Sequence, residues 1–142
     1  MGKLIVQKFG GSSVANVERI QNVAKRVSSY KKNGHNLVVV VRYSSMNQET
    51  FESLSSSPGS YEAMQRGLNY LFKAGYPDKE HHLGIEAIIS NENLKDIPDL
   101  WRWARKKNIL PYMECMPYKG SAVARHDLYP DKQTTPSLFE KL

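Results

Sequence analysis

Lys8-Phe9-Gly10-Gly11-Ser12-Ser13 is the string in this 142-residue sequence best suited to chemistry. It lies between a strand-like run, Leu4–Phe9, and a helical pattern. Two glycines let a backbone approach a phosphate closely. Exposed N–H groups and a helix N-terminus stabilise negative charge, and a lysine can neutralise a phosphoryl group in transfer. The string matches neither G-x-x-x-x-G-K-[ST] nor G-x-G-x-x-G. It reads equally as a tight strand-to-helix turn that holds no ligand.

Other reactive residue types are scattered. His81-His82 precedes a strand, but adjacent strand residues face opposite sides and no third His or Cys lies nearby, so a loop or strand-edge role is expected. Glu86 and Glu114 both occupy strand positions and are candidates for a carboxylate pair. One satisfied buried acid and one surface acid is the expected outcome. Trp101 and Trp103 stand among Arg102, Arg105, Lys106 and Lys107, a composition found in nucleic-acid patches. Residues two apart on a helix point apart, however, and cations in a last helical turn complement the dipole. Nucleic-acid binding is not expected. Cys115 is the only cysteine. It excludes an intrachain disulfide and is expected as a small core residue.

The elements that must position these residues follow from periodicity. From Val14 the apolar residues recur at Val17, Ile20, Val23, Ala24, Val27 and Tyr30, steps of three and four that mark an amphipathic helix. Ser12 or Ser13 is placed to cap its start, and Gly34 its end. Leu37–Val41 is continuous and mostly β-branched, the pattern of a strand buried on both faces. Residues 3–41 thus read as β-α-β, long enough for a right-handed parallel crossover. Ser53–Ser60 is the most linker-like stretch. A helix is predicted over Ser60–Ala74, with Gly75 as its stop. A strand follows over Leu83–Ser90, then a loop and a helix within 91–107 with Pro98 in its first turn. Ile109–Cys115 is a further strand, 117–136 is turn-rich, and a short helix is predicted over Pro136–Leu142. The order β-α-β-α-α-β-α-β-α predicts one α/β domain over 1–142. Its four mainly parallel strands would form an open sheet or a partial barrel. A ligand crevice at a topological switch point requires the first strand to sit centrally.

Charge divides the chain. Residues 1–41 hold seven Lys and Arg against one acid, whereas residues 42–142 hold 13 bases and 13 acids. The entire net charge of +6 therefore sits in the first segment. The longest apolar run, Leu37–Val41, is far short of the ~20 residues that a membrane-spanning helix needs. No signal peptide pattern follows Met1, and a reducing cytoplasmic location is expected.

The string Leu4 to Val14, then Val17-Glu18-Arg19-Ile20, then Leu37–Val41, closely resembles the amino terminus of aspartokinases, in the amino acid kinase family. That resemblance implies ATP phosphates held by Lys8, Gly10, Gly11, Ser12 and Ser13, with serine at Ser12 where the family usually has threonine. Ser44-Ser45-Met46 and Thr50 are weakly similar to a later substrate-binding stretch of the family. Beyond residue 54 no further likeness is read.

From about Arg42 the chain resembles a different family. Ser60–Asn69 with Ala74-Gly75-Tyr76-Pro77, Leu83-Gly84-Ile85-Glu86 with Ile97–Arg105, and Ile109–Glu114 with Gly120-Ser121-Ala122 resemble late β/α units of radical S-adenosylmethionine enzymes. That resemblance implies part of a barrel, with Arg42, Ser44 and Ser45 at a strand end facing the cofactor and Glu86 and Asn91 as further candidates. The family's C-x-x-x-C-x-x-C cluster loop is missing. The reading is a splice at Val41–Arg42, where the charge also breaks. The function expected is that of a recombined α/β domain without a complete active site, retaining weak ATP binding (with Mg²⁺) at 8–13 and requiring no cofactor. Alternatives are a minimal aspartokinase-like phosphotransferase and an S-adenosylmethionine-binding fragment. Unpaired sheet edges lead to the expectation of a homo-oligomer.

Overall fold

The computed structural model describes residues 2–9, 17–117, 123–131 and 134–140. The elements run β1 (Leu4–Phe9), α1 (Val17–Lys32), β2 (Asn36–Arg42), α2 (Gln48–Ser55), α3 (Ser60–Lys73), β3 (His82–Ile89), α4 (Ile97–Lys106), β4 (Leu110–Cys115) and α5 (Thr134–Phe139), with a 3-10 turn at His126–Leu128 before α5. The alternation agrees with the sequence pattern. The linker-like 53–60 stretch does not stay outside regular structure. Ser53–Ser55 close α2, which Asn47 caps by accepting the Thr50 N–H at 3.0 Å and which buries Phe51. A capped start and one buried aromatic are enough to fix this short helix.

The four strands form one open sheet in the order β1-β2-β3-β4, every pair parallel. Gly34 (φ +74°) and Gly75 (φ +92°) adopt left-handed conformations after α1 and α3, as the sequence predicts for helix stops. Sequential order with crossovers of one hand places every connecting helix on the same side. Val27 of α1, Met64 and Leu68 of α3, and Leu100 and Ala104 of α4 accordingly share one core with Leu37, Val39, Val41, Leu83, Ile85, Ala87 and Ile89.

This one-sided cover corrects the expectation for β2. Leu37, Val39 and Val41 are buried, but Val38 and Val40 are only half-buried, because no helix among the described residues covers the second face. Cys115 is likewise exposed rather than in the core. It is the last residue of an edge strand.

Candidate functional site

Ligand sites in parallel α/β proteins gather at the carboxyl ends of the strands. At that end of this sheet three charged side chains converge on the helix-free face. Glu86 on β3 is buried, yet its Oε1 lies 2.6 Å from Lys8 Nζ on β1 and its Oε2 lies 3.5 Å from Arg42 Nε on β2. The register explains the meeting. Arg42 pairs directly with Glu86, while Lys8 pairs with Val40 and Gly84 one step lower, so its long chain reaches across β2. The Lys8 and Arg42 side chains are 53% and 41% exposed. One carboxylate between two cations leaves one positive charge uncompensated. Glu86 Oε2 and Arg42 Nε are both buried and, among the described residues, have no hydrogen-bond partner.

Gly10, Gly11, Ser12 and Ser13 lie outside the described residues. Of the predicted phosphate cradle, Lys8 is the member whose surroundings are described. β1 is the edge strand next to β2, so the strand order has no reversal at the loop that follows it. The crevice of a central switch point is absent. The location is the carboxyl end of an edge strand in an open sheet.

Arg42 joins Lys8, and hydrogen bonds tie the neighbouring serines into the framework. Ser45 is fully buried; its hydroxyl donates to Asp96 and accepts the Asn47 N–H at 2.9 Å. Ser44 is buried, and its carbonyl accepts from Asn93 Nδ2 at 2.7 Å. The same Asn93 amide donates to the Ile88 carbonyl at 2.9 Å, and its Oδ1 accepts the Ser90 N–H at 2.7 Å. One buried side chain thus ties the end of β2 to the end of β3. Asn91 donates to the Asp127 and Tyr129 carbonyls at 2.7 and 2.8 Å and so anchors the later turn.

Sequence reasoning missed Asn93 and Asp96. Their signal was faint: polar residues in the loop after a buried strand, with partners about 50 positions away. It also missed that Lys8 and Glu86 pair, because the two are 78 residues apart. Glu114 is exposed and Glu86 buried, which agrees with the expected split between the two acids. His81 Nδ1 lies 2.6 Å from Asp78 Oδ1 in the loop before β3, and its ring packs on Tyr76. Trp103 packs edge-on against Tyr43 at 5.4 Å, while Arg105 stands 5.7 Å over Trp101, so the two indoles serve different surroundings. Burial pushes the Tyr43 phenol well above its usual range, and neighbouring Tyr61 adds to the rise. Among the described residues, no group of three His, Cys, Asp or Glu is placed to hold a metal ion, and no helix is long and apolar enough to cross a membrane.

The sequence pattern of the amino acid kinase family matches residues 3–41. This is an aspartokinase-like amino terminus. Aspartokinase 2 of Bacillus subtilis (strain 168) is 45% identical over 73 residues, which are 51% of this chain and 17% of that protein. The aspartokinase of Bacillus sp. (strain MGA3) is 63% identical over 49 residues, 34% of this chain and 11% of that protein. The aspartokinase of Helicobacter pylori (strain J99 / ATCC 700824) is 44% identical over 73 residues, 51% of this chain and 18% of that protein. The chain spans less than a fifth of the length of these relatives. A 73-residue match cannot fit within residues 1–41, so this likeness runs past the Val41–Arg42 boundary and past residue 54, further than the sequence pattern suggested.

Proposed function

We propose that the carboxyl end of β1 and β2 binds the phosphate groups of a nucleotide, with ATP as the expected ligand and Lys8 as its principal cation. The observation that carries this reading is the convergence of exposed Lys8 and Arg42 on buried Glu86. Glu86 orients the lysine, and the excess positive charge attracts an anion. The likeness of residues 3–41 to the amino acid kinase family supports the choice of nucleotide. Ser12 and Ser13, with Gly10 and Gly11, would add backbone and hydroxyl donors. In this reading the chain joins an aspartokinase-like amino-terminal region to a barrel-like segment and has no complete active site. Titration calorimetry with ATP, with and without Mg²⁺, tests it. Heat from the native chain that Lys8→Ala abolishes is the expected result. No heat, or equal heat from a folded Lys8→Ala, refutes it. ADP release that needs both Mg²⁺ and Lys8 would extend the reading to a minimal phosphotransferase.

One observation favours a second reading. Helices on one side of a sheet ordered 1-2-3-4 are compatible with a piece of a parallel barrel, as a resemblance of 42–142 to radical S-adenosylmethionine enzymes would imply. S-adenosylmethionine would then meet Arg42 and Glu86 at the strand ends. A ligand of the native state raises its stability, so an unchanged melting temperature at millimolar S-adenosylmethionine counts against this reading.

A further inference from the structure

The helix-free face of the sheet carries Leu4, Val6 and Lys8 on β1 and Leu110, Tyr112 and Glu114 on β4, with Lys8 and Leu110 level in one row through Val40 and Gly84. Leu4, Val6, Leu110 and Tyr112 are 67%, 63%, 54% and 56% exposed. They are four of the seven large exposed hydrophobics among the described residues, and all four sit on the two edge strands. An edge strand presents a row of unpaired backbone N–H and C=O groups. Half-buried Val38 and Val40 extend the apolar surface between the edges.

We propose that two copies of this chain close edge to edge into one eight-stranded parallel barrel, β4 of each copy pairing with β1 of the other. Every strand is parallel to its neighbour, so a second copy continues the sheet in the same direction. The twofold operator closes the ring, uses both edges of both copies and leaves none unpaired.

The geometry of closure sets the register. A parallel barrel of eight strands has a shear of about 8 residues: a row of paired neighbours, followed once around, returns to its strand displaced by that amount. Strands coil right-handedly about the barrel and right-handed crossovers advance in one sense, so the displacement runs toward the strand N-terminus. Two identical halves share it equally, about 4 residues each. The row in this copy is Lys8, Val40, Gly84, Leu110. Its next member is therefore Leu4 of the second copy. Tyr112 then meets Val6 of the second copy, and Glu114 meets Lys8 of the second copy.

The three contacts are chemically matched without adjustment. Two join apolar side chains that are exposed in the single chain. The third joins opposite charges at the barrel's carboxyl end. A shift in the opposite sense would carry Leu110 beyond the end of β1. A shift half as large would set Tyr112 against Lys8. Both alternatives lose the match. The exposed apolar face thereby becomes the barrel interior. Its upper rim holds Lys8, Arg42, Glu86 and Glu114 from each copy, two bases and two acids.

Light scattering on the full chain after size exclusion tests the proposal. The expected mass is twice the 16.2 kDa of one chain. Val6→Lys and Tyr112→Lys, each checked for folding by circular dichroism, should each give a monomer. A monomeric native chain, larger assemblies grown edge to edge, or a dimer that survives both substitutions overturns it. Oxidative cross-linking tests the register in a Cys115→Ser background, because Cys115 is exposed. Val6→Cys with Tyr112→Cys should give a covalent dimer. Leu4→Cys with Glu114→Cys, about 13 Å out of register along the strand, should not. Equal cross-linking of the two pairs, or none from the first, refutes the barrel.

Discussion

α1 and α4 flank opposite ends of the same sheet, and both show amphipathic spacing in sequence. They are held very differently. α4 buries Ile97, Leu100 and Ala104 completely, and Trp103 adds an edge contact to Tyr43. Among the described side chains of α1 only Val27 is buried, with Val23 and Tyr30 partly so. An apolar cavity of about 130 Å³ lies between α1 and α3, lined from one side by Val23, Val27 and Val39 and from the other by Met64, Gly67 and Leu71. The amino-terminal unit meets the rest of the chain across a packing gap. An equal hydrophobic period therefore does not guarantee equal burial; what the helix packs against decides it.

The contrast can be broken by removing buried volume. Leu100→Ala should cost about 2–5 kcal/mol, within the range for buried leucines. Val27→Ala beside the cavity should cost roughly 1–2 kcal/mol, the loss of two methyl groups. Urea unfolding of both variants measures the difference, and equal losses would show that α1 is held as firmly as α4. Asn93→Ala should destabilise by about 3 kcal/mol, because it removes the amide that donates to the buried Ser44 carbonyl and the half-buried Ile88 carbonyl. The same substitution to Asp should restore little, since a carboxylate cannot donate to those carbonyls.

Gly67→Ala should sharpen the comparison in the other direction. It adds a methyl group to a residue lining the cavity and removes glycine from a helix interior. A gain of up to about 1 kcal/mol is expected in the same unfolding assay. The smallest effect concerns pH. The folded-state pKa of Tyr43 is raised by burial, so folding favours its protonated form. The corresponding stability is kept below the ordinary phenol pKa of about 10 and is lost as pH rises beyond it. Tyr43→Phe should lessen the alkaline loss in melts between pH 9 and about 11. An unchanged slope would mean that Tyr43 is not the group responsible.

Much of the fold was legible because its signals are local. The steps of three and four in α1, the proline in the first turn of α4, the glycines after α1 and α3, and the β-branched run of β2 each depend on a few adjacent residues. The site was legible only at Lys8 and Arg42. Glu86 stood out as a strand acid, but its partners lie on two other strands, and no local period predicts a contact over 78 positions. Ser44 and Ser45 stood at a strand end as hydroxyls suited to a ligand. Asp96 engages the Ser45 hydroxyl and Asn93 the Ser44 carbonyl, through hydrogen bonds that sequence spacing does not encode.

The sequence by itself determined the alternation of strands and helices, the parallel sheet and the concentration of positive charge in residues 1–41. These follow from side-chain period, crossover length and composition, which are properties of the chain in order. Tertiary structure alone decided that β1 lies at an edge, that the described helices leave one face of the sheet uncovered, and that Lys8, Arg42 and Glu86 meet there. Those outcomes depend on strand order and register, which only the packing of distant segments against a common core can fix.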